Sequence, residues 1–170
     1  MKFSESAINT PFIADFSYFG NKTLVMKKNK KQRVYISGPL TDPKTGEPSV
    51  ENLTAFKWAN SRLKKEGYVN TTNPTKVWLC RWPWMYRLLE RFVGKETAYR
   101  IVLLYDIILL LRCDIIYKIP GWQQSRGANI ESCVAFHFGL WTLPTIVRER
   151  VDRKLAKDME KWRKRQGGEV

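Results

Sequence analysis

One histidine and three cysteines in 170 residues leave little from which to build a transition-metal site. The cysteines (Cys80, Cys113, Cys133) have no CxxC spacing and are odd in number, which argues against both a zinc site and a disulfide framework. Long apolar runs are missing as well. The longest candidate, Ile101 to Leu111, is eleven residues and is broken by Asp106, whereas a membrane-spanning helix needs about 20 apolar residues. That segment is therefore expected in a water-soluble core, with no membrane partner. The N-terminus lacks a basic head followed by an apolar run, so no secretory leader is expected, and a reduced, cytoplasmic protein follows. Acidic residues are scarce, 16 against 30 Lys and Arg, for a formal net charge of +14. Residues 1–33 hold seven basic and two acidic side chains and residues 144–170 hold nine and five, so the termini carry most of the excess. Charge placed there can attract nucleic acid or nucleotides, or simply aid solubility.

What remains is ample for one domain: 44% hydrophobic and 13% aromatic residues. Residues 1–32 read as an aromatic and basic N-terminal extension. Arg33 to Ser37 is a β-branched run ended by Gly38-Pro39, a strand and a turn. A polar loop through Gly46-Glu47-Pro48 follows. Ser49 then caps a helix from about Val50 to Glu66, with Leu53, Phe56, Ala59 and Leu63 on its apolar face. Tyr68 to Thr72 is a second strand. The segment 75–95 is a Trp-rich insertion (Trp78, Trp82, Trp84) with a helix from about Pro83, reading as a core or dimer helix before a base-stacking platform. Glu96 to Leu111 is a further helix and Asp114 to Ile119 the buried central strand. A helix stopped by Gly139 comes next, then a strand over Leu140 to Val147 near the sheet edge because of Pro144, and an amphipathic basic helix from Arg148 to Gln166. Strands alternating with helices mean an α/β fold: a flavodoxin- or Rossmann-like parallel sheet of about four to five strands flanked by helices, over residues 33–147, with 148–170 as a C-terminal helix.

The carboxyl end of a parallel strand followed by a helix N-terminus is where open α/β sheets bind ligands, and Cys113 to Gly139 has that order. Backbone N–H groups of Gly127, Ala128 and Asn129 are expected to form an anion site with Ser125 and Arg126. Glu131, one turn further in, is expected to be held ionised by the helix N-terminus. Asp106 is a carboxylate amid leucine and isoleucine, costly unless turned toward a polar cavity or paired structurally. With Tyr35, Ser37 and Gly38 at the end of the first strand, these residues are expected around one crevice. Two carboxylates and a phenol suit substitution at an oxocarbenium-like sugar carbon, although each alone is also a plausible structural group. Trp122 can stack on a base or pack the core. His137 falls on another helix face and is read as packed or superficial, and Asp114 as structural.

The set VYISGP, NP after the second strand, aspartates at 106 and 114, IYKIPGWQQSRGANIE and FHFG resembles the nucleoside 2-deoxyribosyltransferase-like superfamily, over about residues 34–147. It is most similar to a small phage and bacterial branch with the pattern PGWxxSxGAxxE. The resemblance implies a flavodoxin-like fold and cleavage of the N-glycosidic bond of a nucleoside or nucleotide without a cofactor. It makes Glu131 the nucleophile, Asp106 the carboxylate assisting the leaving base, and Tyr35 the phenol beside the nucleophile. Serine at position 125, where nucleoside transferases carry an acidic residue, matches the nucleoside 5′-monophosphate N-glycosidases and implies a phosphorylated substrate. Sites shared between subunits imply a homo-oligomer. A non-catalytic nucleotide-binding module and a basic nucleic-acid-associated protein stand as the alternatives.

Overall fold

The structure is a computed structural model and describes residues 32–42, 48–76 and 83–167. The N-terminal extension, the Gly46-Glu47 part of the polar loop, Trp78 and Trp82 lie outside the described residues. Four parallel strands form one sheet in the order β2-β1-β3-β4. They are β1 (Arg33–Ser37), β2 (Asn70–Thr72), β3 (Ile115–Lys118) and β4 (Trp141–Thr142). Among the described residues five helices flank them: α1 (Val50–Lys65), α2 (Pro83–Val93), α3 (Lys95–Leu111), α4 (Arg126–His137) and α5 (Thr145–Gln166). The architecture is α/β and flavodoxin- or Rossmann-like, with β1 and β3 adjacent at the centre.

The period of two along β1 divides the molecule into two faces. Val34 and Ile36 point to one side with Ile115 and Tyr117 of β3, where they meet Phe56, Ala59 and Leu63 of α1 and Val151, Leu155 and Met159 of α5. Complete burial of a side chain such as Phe56 or Leu63 contributes about 2 kcal/mol of transfer free energy. Tyr35 and Ile116 point to the other side and pack with Leu110 and Cys113 at the end of α3 and Ala135 of α4. Pairing sets Tyr35 between Ile116 and Thr72, and Ser37 beside Lys118.

Polar clamps fix α5 on α1. Arg62 donates to both oxygens of Asp158 at 2.8 and 2.7 Å, and the nearly buried Glu66 takes Arg150 at 2.9 Å and Lys154 at 3.1 Å. Tyr117 reaches from β3 to Asp152 at 2.6 Å. As expected, Ser49 caps α1, accepting from the Asn52 N–H at 3.4 Å. Gly67 ends that helix in the left-handed region (φ 93°), where the Tyr68 N–H turns back to the Leu63 carbonyl at 3.0 Å.

Several expectations need correction. The second strand begins at Asn70, because Tyr68 is used to bury its ring behind the helix end. The last strand is only Trp141–Thr142, and Thr145 to Val147 form the first turn of α5. Pro144 explains this: it has no N–H for the ladder and its φ of −51° directs the chain into a helix. Leu53 is not in the core but 38% exposed. Most consequentially, Ile101 to Leu111 is not wholly buried. Ile101, Leu104, Ile108 and Leu111 lie open along one stripe of α3, with Leu104 60% exposed, while Ala98, Asp106 and Leu110 face inward. No helix among the described residues is long and apolar enough to cross a membrane.

Candidate active site

Tyr35 and Ser37 are two residues apart on β1 and therefore project from the same face of the sheet. Glu131 comes to that face from the second turn of α4. Tyr35 donates its hydroxyl to Oε1 at 2.7 Å and Ser37 donates to Oε2 at 2.5 Å, so both carboxylate oxygens are held. All three side chains are buried. Burial raises the Glu131 carboxyl above its ordinary range, against the pull of the Ser37 and Tyr35 hydrogen bonds, which favour the anion. The two hydroxyls therefore offset part of the burial that disfavours the Glu131 anion. Burial, followed by the charges of Glu131 and Asp106, holds the Tyr35 phenol well above its ordinary value, so it remains a donor.

Asp106 faces the same interior from α3 and is 6% exposed. Burial, then the Glu131 charge, pushes its pKa up to about 7. The two carboxylates are consequently unequal. Glu131 has two hydroxyl donors stabilising its anion, whereas Asp106 is poised to carry a proton near neutrality. A nucleophile or base beside a neutral acid is the chemistry this arrangement can perform.

The residues expected to form an anion site sit at the start of α4. Ser125 caps the helix, its Oγ accepting from the Ala128 N–H at 3.3 Å, and its carbonyl accepts from the Asn129 N–H at 3.0 Å. Of the three N–H groups expected to be free, only that of Gly127 lacks a partner among the described residues. Arg126 is 70% exposed, 3.9 Å from Glu96 and with its guanidinium 5.4 Å from the ring centre of Tyr99. Ser37, expected on the ligand's phosphate or sugar, donates to Glu131 in this structure. Gly38 is closely packed, since a Cβ there would lie 3.1 Å from the Ile119 Cβ. Trp122 has one face taken by the Lys118 ammonium, 4.1 Å from the ring centre, and that ammonium also donates to Ser132 at 3.1 Å.

Asp114 accepts from the Arg33 N–H at 2.8 Å and ties the two central strands together. His137 is exposed and stacks edge-on with Phe136. Among the described residues no cluster of three His, Cys, Asp or Glu side chains is placed to hold a metal. A cavity of about 300 Å³ between α1 and α5 (Trp58, Arg62, Asp158, Trp162) and one of about 640 Å³ beside β4 (Leu111, Phe138, Trp141) both lie away from these carboxylates.

Tyr99 was missing from the sequence-derived set. Its hydroxyl oxygen is buried without a hydrogen-bond partner and lies over Gly127. The signal available was its position seven residues before Asp106, which puts both on one helix face.

A family model described as a domain of unknown function, DUF4406, matches residues 32–143. The chain belongs to the DUF4406 family. No curated protein and no solved structure matches it. The DUF4406 span contains all four strands, Tyr35, Ser37, Asp106 and the whole Ser125 to Glu131 stretch, and it stops before α5.

Proposed function

We propose that the protein cleaves the N-glycosidic bond of a 5′-phosphorylated nucleotide or deoxynucleotide, as a nucleotide N-glycosidase or a deoxyribosyltransferase-like enzyme. The observation that carries this is Glu131, buried and gripped on both oxygens by Tyr35 and Ser37, beside an Asp106 whose pKa is pushed up to about 7. Glu131 attacks C1′ of the sugar, forming a glycosyl ester as the C1′–N bond breaks. The base leaves with the bonding electron pair and takes the proton of Asp106. Water then attacks C1′ of the ester, gives a proton to Asp106, and releases the sugar phosphate and free Glu131. A second nucleoside base in place of water would make the reaction a transfer. The start of α4, with the Gly127 N–H, the Ser125 hydroxyl and Arg126, supplies the positive potential for the 5′-phosphate.

The protein is further proposed to act as a homo-oligomer. Ile101, Leu104, Ile108 and Leu111 recur at helical spacing on the open side of α3, an apolar stripe of the kind a second copy would cover.

A panel of nucleoside 5′-monophosphates, assayed for free base, tests the reaction. The wild type should release base from at least one of them, and Glu131→Ala should lose that activity by about a thousandfold or more. Unchanged release in Glu131→Ala would refute the mechanism. The other reading, a non-catalytic nucleotide-binding module, is favoured by the near-complete closure of Glu131 and Asp106, each 6% exposed. Nucleotide binding with no base release from any member of the panel would establish it instead.

A further inference from the structure

Among the described residues two buried side-chain groups have no hydrogen-bond partner, the Asn73 amide nitrogen and the Tyr99 hydroxyl. A buried hydroxyl without a partner is destabilising, so its presence at a site asks for a ligand-side explanation. The surroundings of Tyr99 point to one. A Cβ on Gly127 would meet the Tyr99 hydroxyl at 3.5 Å and the Ser125 Oγ and Leu103 Cδ1 at 3.9 Å each. Two hydroxyls therefore converge on the bare Cα of the residue whose N–H is free at the start of α4. The Arg126 guanidinium, over the Tyr99 ring, adds a positive charge at the same mouth.

These groups share a chemistry. The Gly127 N–H and the Arg126 guanidinium can only donate, and the Ser125 hydroxyl keeps its hydrogen for donation while its oxygen accepts from Ala128. Burial raises the pKa of the Tyr99 phenol, and Glu131, Glu96 and Asp106 raise it further against Arg126, so it too is a donor at neutral pH. Donors clustered around a positive helix end suit a group with several acceptor oxygens and negative charge, and suit a neutral base or a bare sugar hydroxyl less well.

We propose that Tyr99 is a specificity-determining residue that donates its hydroxyl hydrogen to the 5′-phosphate of the substrate, alongside the Gly127 N–H and the Ser125 hydroxyl. This rests on the phosphorylated-nucleotide function proposed above and assigns part of its selectivity to α3, a helix otherwise represented in the site by Asp106. Tyr99→Phe removes the hydroxyl and leaves the ring that packs against Arg126.

Ribose 5-phosphate and ribose are the probes, because neither has a glycosidic bond to a base and binding is then read apart from catalysis. Calorimetric titration of the full chain should show ribose 5-phosphate binding weakened roughly tenfold in Tyr99→Phe, with ribose binding changed by less than about twofold. The melting temperature of the unliganded variant should equal or exceed that of the wild type, since an unpartnered buried hydroxyl is gone. Ribose 5-phosphate binding unchanged in Tyr99→Phe would overturn the role of Tyr99 and leave the proposed reaction standing. Equal weakening of both sugars would also overturn it, because the hydroxyl would then be shaping the pocket rather than reading phosphate. A wild type that binds neither ribose 5-phosphate nor any nucleoside monophosphate would overturn this role and the proposed function together.

Discussion

The two faces of the sheet solve the problem of charge in opposite ways. On the side of α1 and α5, each buried or half-buried carboxylate meets a partner suited to its negative charge: Glu66 has Arg150 and Lys154, Asp158 has Arg62, and Asp152 accepts from Tyr117. Between those clamps the contacts are apolar and closed. On the side of α3 and α4, two carboxylates are buried within reach of each other's charge, both shifted upward, and a nearby tyrosine hydroxyl has no partner. The first face is built to hold the fold. The second retains an electrostatic cost that a purely structural core would avoid, which marks it as the candidate site.

The sharpest way to test that division is to damage the scaffold face alone. Phe56 is fully buried between α1 and the sheet, and Phe56→Ala removes its ring from the centre of that cluster. A loss of about 3–5 kcal/mol in denaturant unfolding is expected, from lost transfer energy plus the cavity left behind. A loss below about 1 kcal/mol would show that the α1 face is not the main anchor of the fold.

Titration separates the faces by sign. Glu66 is held below its ordinary value by Lys154 and Arg150, which outweigh its desolvation, so its stabilisation is present above its unfolded pKa and lost as pH falls. Asp106 is the reverse. Its pKa goes from an ordinary 3.8 up to about 7, so between those values the folded protein keeps a proton that the unfolded chain has released. Its contribution is therefore most favourable below about pH 4 and is lost as pH rises to about 7. Asp106→Asn should melt higher than the wild type at pH 8, and the gap should shrink steadily toward pH 4. Base release by the wild type should decline above about pH 7 as the acid loses its proton. A gap independent of pH would mean that Asp106 is ionised throughout and cannot serve as the acid.

Legibility in the sequence differed between the faces for a physical reason. The scaffold face rests on local periodicity: the β-branched runs of β1 and β3 and the spacing of Phe56, Ala59 and Leu63 are visible without any tertiary knowledge. The start of α5 was misplaced because Pro144 was read as interrupting a strand, when its missing N–H and fixed φ make it a helix entrance. The site rests on contacts between residues far apart in the chain, such as Tyr35 to Glu131 across 96 positions, and no spacing rule reports those. Strand ends and a helix start could place them around one crevice, and the resemblance of the surrounding motifs gave them roles, but neither showed which side chains touch. Even then the hydrogen bond from Ser37 to Glu131 was not foreseen, because alternation shows which face a side chain takes and not what it meets there. Tyr99 escaped notice because a tyrosine on an apolar helix looks like packing until its hydroxyl is seen to lack a partner.

The outer side of α3 completes the contrast, and the smallest change in folding energy tests it. Asp106 and Leu110 turn inward, while Ile101, Leu104, Ile108 and Leu111 turn out. The Trp-rich insertion 75–95, which includes α2, was expected to drive assembly, and the open stripe adds a second apolar surface on the neighbouring helix. Leu104 is 60% exposed, so Leu104→Glu removes little buried area within one chain and should change monomer stability by no more than about 0.5 kcal/mol. In an oligomer the same substitution places a charge in an apolar interface, next to its symmetry mate if the contact is two-fold, and desolvation opposes association strongly. The expected result is an oligomeric mass for the wild type at micromolar concentration and a monomeric mass for Leu104→Glu, with unchanged far-UV circular dichroism. Sedimentation equilibrium reads both. A wild type that stays monomeric at high micromolar concentration would show that the stripe on α3 does not join two copies.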